Sequence, residues 1–256
     1  MDLETIIGSK VGTSIRVNSL LIPADSLSNH LLRFSDPALF NTAGLEKYSL
    51  SKSGSLTKVK LGVRYFALIS YHQIKTPSYD FEQLCIIHSD RKTMFTSHSA
   101  VFPNGTQENI EDFDCALFEF TDVVKANKLP ETGWYDLGVD LGRKLFPKAI
   151  IVCCIGYPGY RNNIDFDKLE YPVAPNAVWG HEIESQIKGR LSFRPKPEID
   201  FDPSGMSGAP IFGVELQYNQ PVVFFAGILT NASSQTFNFI PITRIRSLFH
   251  QRSVNP

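Results

Sequence analysis

Residues 205–210 read Gly-Met-Ser-Gly-Ala-Pro, and apolar runs rich in Val, Ile and Phe follow them. A hydroxyl held on a tight turn is the kind of group that acyl transfer uses as a nucleophile. The same turn must aim backbone N–H groups at the oxyanion that develops. Glycines at 205 and 208 permit the unusual backbone angles and the close substrate approach that such a turn requires. The plain alternative is a Gly/Pro turn between two strands, since Ser-Gly is a common turn dipeptide. The Gly-x-Ser-x-Gly elbow is excluded, because Ala209 takes its last glycine position and a strand follows rather than a helix.

This segment resembles the nucleophile turn Gly-x-Ser-Gly-x-Pro of the chymotrypsin-like (trypsin-like) serine peptidases. The resemblance implies Ser207 as the nucleophile and the N–H groups of Gly205 and Ser207 as the oxyanion hole. It also implies a general base and an orienting carboxylate earlier in the chain, in the order His, Asp, Ser. Asp114 opens Asp-Cys-Ala-Leu-Phe-Glu-Phe, which looks like the family's Asp-x-Ala-Leu strand start. His72 ends the run Tyr65-Phe-Ala-Leu-Ile-Ser-Tyr. The intervals are 42 and 93 residues, against about 45 and about 93 in the serine-protease template. Asp112 is the second choice for the carboxylate. His98 competes with His72, but only 16 residues separate it from Asp114, too few to run back across a barrel. His30, His88, His181 and His250 have no matching context and read as solvated or structural.

Further matches follow the same resemblance, which spans roughly residues 10 to 250. Gly12-Thr13-Ser14-Ile15 looks like the start of the first long barrel strand. Ala226-Gly-Ile-Leu-Thr230 looks like the strand that lines the substrate cleft, with a plain core strand as the alternative. In that register Thr230 takes the place of a serine whose hydroxyl supports the aspartate. Asn231 and Ala232 then offer backbone groups to an extended peptide, which adds as a strand. The pocket base falls at Phe201, with Asp202 beside it. An inward Phe201 favours a small or medium apolar side chain, and an inward Asp202 favours Lys or Arg. A simple turn over 202–205 is the alternative.

The chain also departs from the family. Ile69, Ser70 and Tyr71 stand where small residues usually precede the histidine. Met206 replaces the aspartate that pairs with a new N-terminus after cleavage. Gln73 stands where the histidine-loop disulfide would begin. The residues before His72 are what would favour a catalytically silent module. The other two departures fit an intracellular bacterial-type member without disulfides that folds directly into a competent state or is switched by a regulatory protein partner.

Positioning three remote groups takes a framework, and the pattern predicts one that is all-β. Short runs rich in Val, Ile, Phe and Tyr recur between Gly, Pro and Asn. They are Thr13–Ile22, Lys58–Tyr71, Gln83–Ile87, Thr93–Phe102, Cys115–Phe120, Ala149–Ile155, Lys188–Phe193, Ala209–Leu216, Val222–Leu229 and Thr236–Ile240. With the resemblance they imply two antiparallel Greek-key β-barrels packed side by side. The N-terminal barrel, 1–125, carries His72 and Asp114, and the C-terminal barrel, 126–256, carries Ser207. After Pro241, the spacing of Ile242, Ile245, Leu248 and Phe249 predicts a C-terminal α-helix. Pro23–Thr57 and Tyr157–Gly189 read as long surface loops, and Lys125–Gly138 as a linker.

With 43% apolar and 20% charged residues, composition excludes wholesale disorder. A net charge of −1 argues against a nucleic-acid partner. No run is long and apolar enough for a membrane helix. Cys85, Cys115, Cys153 and Cys154 lie in apolar runs without zinc-ligand spacing and read as reduced, buried thiols, with one disulfide between distant strands as the alternative. No metal or cofactor is expected. The N-terminus lacks a secretory signal pattern, so the expected location is cytoplasmic. The expected activity is that of a serine endopeptidase acting on protein or peptide. A catalytically silent module that binds extended peptides or acts as a scaffold, and an esterase on the same fold, are the alternatives.

Overall fold

The computed structural model describes residues 14–41, 50–74, 84–87, 93–103, 113–141, 148–162 and 174–250. Asp112, His88 and the Gly12-Thr13 strand start lie outside them. Sixteen described strands occur in chain order, with only short helices between them. They are β1 Ser14–Val17, β2 Leu20–Pro23, β3 Ser35–Asn41, β4 Leu50–Leu61, β5 Arg64–Ile69, β6 Leu84–Ile87, β7 Met94–Thr96, β8 Ser99–Val101, β9 Ala116–Glu119 and β10 Tyr135–Asp136. The second half adds β11 Ile151–Gly156, β12 Asn176–Ile183, β13 Leu191–Pro195, β14 Pro210–Gln217, β15 Gln220–Ala232 and β16 Phe237–Pro241.

In the second half, β14, β11, β12, β13, β16 and β15 pair in that order, and β14 pairs with β15 to close a six-stranded antiparallel barrel. The hairpin β1–β2 extends the same sheet through a parallel pairing of Arg16 with Val222. In the first half the order is β7-β6-β3-β4-β5-β9-β8, an antiparallel sheet that curls into a half-barrel. The short β10 joins it, parallel to β4. Alternating side chains of both halves meet in one apolar core, where Val59, Phe66 and Leu68 share a cluster with Phe212, Phe225 and Ile240. The chain is thus mostly β, as its short apolar runs between turn residues predict.

The C-terminal pattern folds as a helical turn, Ile242–Ile245, followed by a 3-10 turn, Leu248–His250. Ile242, Ile245, Leu248 and Phe249 are all buried. No described helix is long and apolar enough to cross a membrane.

Several expected boundaries move. Within the run Thr13–Ile22, the described residues 14–22 form a hairpin broken by Asn18 at φ 52°. Lys58–Tyr71 is likewise two strands joined at Gly62, with φ 60°. The expected loop Pro23–Thr57 contains a short helix, Leu27–Leu31, all of β3 and much of β4. Leu27 and Leu31 of that helix are buried core residues. The expected loop Tyr157–Gly189 contains β12, and the expected linker contains β10. In both, a short strand gains its place by pairing with a neighbour rather than from its own composition.

All four cysteines are buried, and none forms a disulfide. Burial pushes the Cys85 thiol up to about 11. It pushes Cys115, Cys153 and Cys154 higher still. Since the thiolate is the nucleophile, iodoacetamide at pH 8 is expected to leave the native protein unmodified and to alkylate all four thiols after unfolding. Intact-mass measurement checks this, and rapid native modification would contradict it.

Candidate active site

His72 and Asp114 come together at the ends of two neighbouring strands. β5 and β9 are paired from Phe66↔Glu119 to Ile69↔Ala116, so the residues just beyond that ladder are also close. His72 sits in a 3-10 turn, Tyr71–Ile74, directly after β5. Asp114 lies two residues before β9 at φ 44°, a left-handed angle that Asp tolerates better than most residues. Its Oδ1 accepts the backbone N–H of His72 at 2.9 Å. Both carboxylate oxygens lie 3.0 Å from His72 Nδ1. The carboxylate is acceptor-only, so Nδ1 carries the proton and Nε2 is left as the basic nitrogen. Asp114 is buried while the imidazole is about half exposed, 46% of its side chain. Tyr71 does not intrude, because its ring packs edge-on against Phe102 at 6.1 Å.

Ser207 lies in the turn before β14, and it lines the same cavity of about 370 Å³ as His72 and Asp114. The turn's shape comes from the other half of the molecule. Ser55 Oγ donates to the Gly205 carbonyl at 3.0 Å, and Thr57 Oγ1 donates to the Gly208 carbonyl at 2.8 Å. The Ser207 carbonyl accepts the Ser55 N–H at 2.9 Å and also the Gln73 carboxamide. Ser70, the unexpected residue before Tyr71, donates its hydroxyl to the Leu229 carbonyl at 2.9 Å. Three carbonyls of the turn are therefore tied to β4 and its surroundings. The amides of Gly205 and Ser207 have no acceptor among the described residues. Gly205 and Gly208 have φ of 90° and 83°, the left-handed angles the sequence anticipated. Met206 N–H closes onto the Pro203 carbonyl at 3.0 Å, and its side chain is buried in the second barrel's core.

The Ser207 hydroxyl donates to the Thr230 carbonyl at 2.9 Å, and no hydrogen bond joins it to His72. The pairing of β15 with β16 slips between Leu229 and Asn231, and this bulge takes Thr230 out of the ladder. Asn231 and Ala232 line the cavity. Their edge away from β16 has no strand partner among the described residues.

Three sequence expectations end elsewhere. The Thr230 hydroxyl does not support Asp114. It donates to the Asn238 carbonyl at 3.0 Å, because the bulge turns it toward β16. Asp202 is exposed and caps its own turn, accepting the Ser204 N–H at 2.9 Å and its hydroxyl at 2.7 Å. Those bonds hold its carboxyl below the usual carboxylate range. Phe201 stacks on Tyr160 with ring centroids 5.9 Å apart. Neither Phe201 nor Asp202 lines the cavity, whose nearest wall is formed by Pro203 and Ser204.

Two neighbours escaped the sequence reading. Arg190 reaches the cavity from the segment before β13, with Nη2 4.0 Å from Asp114 Oδ2. Lys52 lies close behind Gly205 and donates to the Tyr157 carbonyl at 2.8 Å. Burial drives its ammonium down to about 8. Nothing local in the sequence marks either one. Gln73 carried a signal, since it directly follows the candidate base. Among the described residues, no three His, Cys, Asp or Glu side chains converge as metal ligands do.

No protein family and no curated protein matches the sequence. Solved structures do match. A doubly substituted human heparin binding protein (CAP37) superposes with a TM-score of 0.53 at 10% identity, over 86% of this chain and 91% of that one. A singly substituted form gives 0.51 at 10% identity, over 86% and 90%. HBP at atomic resolution gives 0.53 at 10% identity, over 89% and 96%. At such identity the likeness concerns the fold alone, and that fold is trypsin-like.

Proposed function

We propose that the chain is a serine endopeptidase that cleaves peptide bonds through Ser207, His72 and Asp114. The observation that carries this reading is a His72 whose Nδ1 is taken up by Asp114, opening on the same cavity as Ser207. Nε2 takes the Ser207 proton as Oγ attacks the scissile carbonyl, and later gives it to the leaving amine. The acyl group left on Oγ is released by water in the reverse sequence. The amides of Gly205 and Ser207 receive the oxyanion. The unpaired edge of Asn231 and Ala232 takes the substrate backbone as an added strand. Ser207 must first turn its hydroxyl from the Thr230 carbonyl toward His72. That is a rotation between staggered wells which exchanges one hydrogen bond for another.

Heparin binding, named for the similar structures, is not carried over, since at 10% identity their likeness concerns the fold alone. The orientation of the Ser207 hydroxyl favours one second reading, a silent module that grips extended peptides. A fluorophosphonate probe separates the two. Wild type is expected to label at Ser207, His72→Ala to label at least 100-fold more slowly, and Ser207→Ala not at all. Unlabelled but well-folded wild type would establish the silent module, and labelled Ser207→Ala would move the nucleophile elsewhere.

A further inference from the structure

Gln73 is buried and follows His72 within the same short turn. Its carboxamide nitrogen donates to the Ser55 carbonyl at 3.2 Å and to the Ser207 carbonyl. Its own backbone carbonyl accepts Ser53 Oγ at 2.7 Å, and its N–H donates to the Ser70 carbonyl at 3.1 Å. The turn carrying His72 is therefore tied on one side to β4 and on the other to Ser207.

The slot that holds this carboxamide is built from glycines. A Cβ at Gly54 would overlap the Gln73 nitrogen, and one at Gly208 would lie 3.1 Å from it. Gly208 also has a left-handed φ of 83°. The carboxamide oxygen, Oε1, is buried with no partner among the described residues. Burying an unsatisfied acceptor opposes folding, and an apolar side chain of equal length would avoid that cost. What such a side chain would forfeit is the donation to Ser207.

We infer that Gln73 is a positioning residue: its carboxamide pins the Ser207 carbonyl and so sets the separation between the nucleophile's turn and the turn of His72. The inference rests on the reading of Ser207 as the nucleophile. Acyl transfer is sensitive to that separation, because a misplacement of about 1 Å can cost on the order of 100-fold in rate.

The test compares wild type with Gln73→Met, which keeps the length and removes the donor, and with Gln73→Leu, which removes the donor in a shorter apolar side chain. Fluorophosphonate labelling at Ser207 is expected to slow by about 10- to 100-fold in each. For a p-nitrophenyl ester, kcat falls by the same factor while KM stays within about twofold, the split expected when only the transition state is affected. Hydrogen exchange at the Ser55 amide, which shares the Ser207 carbonyl, quickens in the folded variants. If Gln73→Met does not fold, Gln73→Leu is judged by the same criteria. A folded variant that labels within twofold of a labelling wild type overturns the inference and leaves Ser207 as nucleophile. A wild type that does not label overturns the nucleophile assignment, and the inference falls with it.

Discussion

Asp114→Asn is expected to lower the rate of ester hydrolysis by about 10⁴-fold, the effect of this exchange in the serine-protease template. The structure makes the substitution clean. Asn tolerates the left-handed φ of 44° as Asp does, so the backbone has no cause to move. The Asn oxygen can still accept the His72 N–H, the bond Oδ1 makes at 2.9 Å. Its NH₂ then faces Nδ1, where the carboxylate now accepts at 3.0 Å. A donor facing Nδ1 makes that nitrogen an acceptor and moves the proton to Nε2. The nitrogen that should take the serine proton is then blocked. Initial rates on a p-nitrophenyl ester, with folding checked by thermal melting, measure the effect. A loss below about tenfold would show that this imidazole is not the base.

The second large effect is on stability. Phe225→Ala is expected to cost about 3–5 kcal/mol. Phe225 is fully buried, packed at a tilt against Tyr135 at 6.0 Å and edge-on against Phe212 at 5.9 Å. Tyr135 in turn packs edge-on against Phe34 at 5.3 Å, so the aromatic group reaches from the second barrel into the first half. Strand ladders on every side limit how far the void can collapse. At roughly 2–4 °C per kcal/mol for a chain of this size, the melting temperature should fall by roughly 6–20 °C. The Phe225 N–H keeps its bond to Asp140, so the backbone pairing is not what is lost. Urea and thermal melts measure the change. A cost under about 1 kcal/mol would mean that the group repacks freely.

Short apolar runs between turn residues made much of the fold legible. Val222 to Leu229 and Ile151 to Ile155 are uninterrupted apolar runs, and both became buried barrel strands. Tight turns inside such runs were harder to see. Asn18 and Gly62 each reverse the chain with a positive φ, but one polar residue or one glycine within an apolar stretch reads equally well as strand. β12 was hidden because its Asn, Gly, His and Glu gain order only by pairing with β11 and β13.

At the site, His72, Asp114 and Ser207 were legible because each stands in a local segment with a recognisable pattern. Arg190 was not, since its approach to Asp114 exists only once the second barrel is built. Thr230 lines the cavity as expected, but a bulge, invisible in composition, rotates its hydroxyl toward Asn238 and away from Asp114. Asp202 was ambiguous for the opposite reason. Its bonds to Ser204 are purely local and compete with any inward role.

The hydroxyls and amide of β4 that hold the carbonyls of residues 205, 207 and 208 belong to the other half of the molecule. The mould for the turn of Ser207 is therefore not encoded beside it. A molecule whose halves have come apart would lose the donors that shape this turn, so its geometry exists only in the assembled chain.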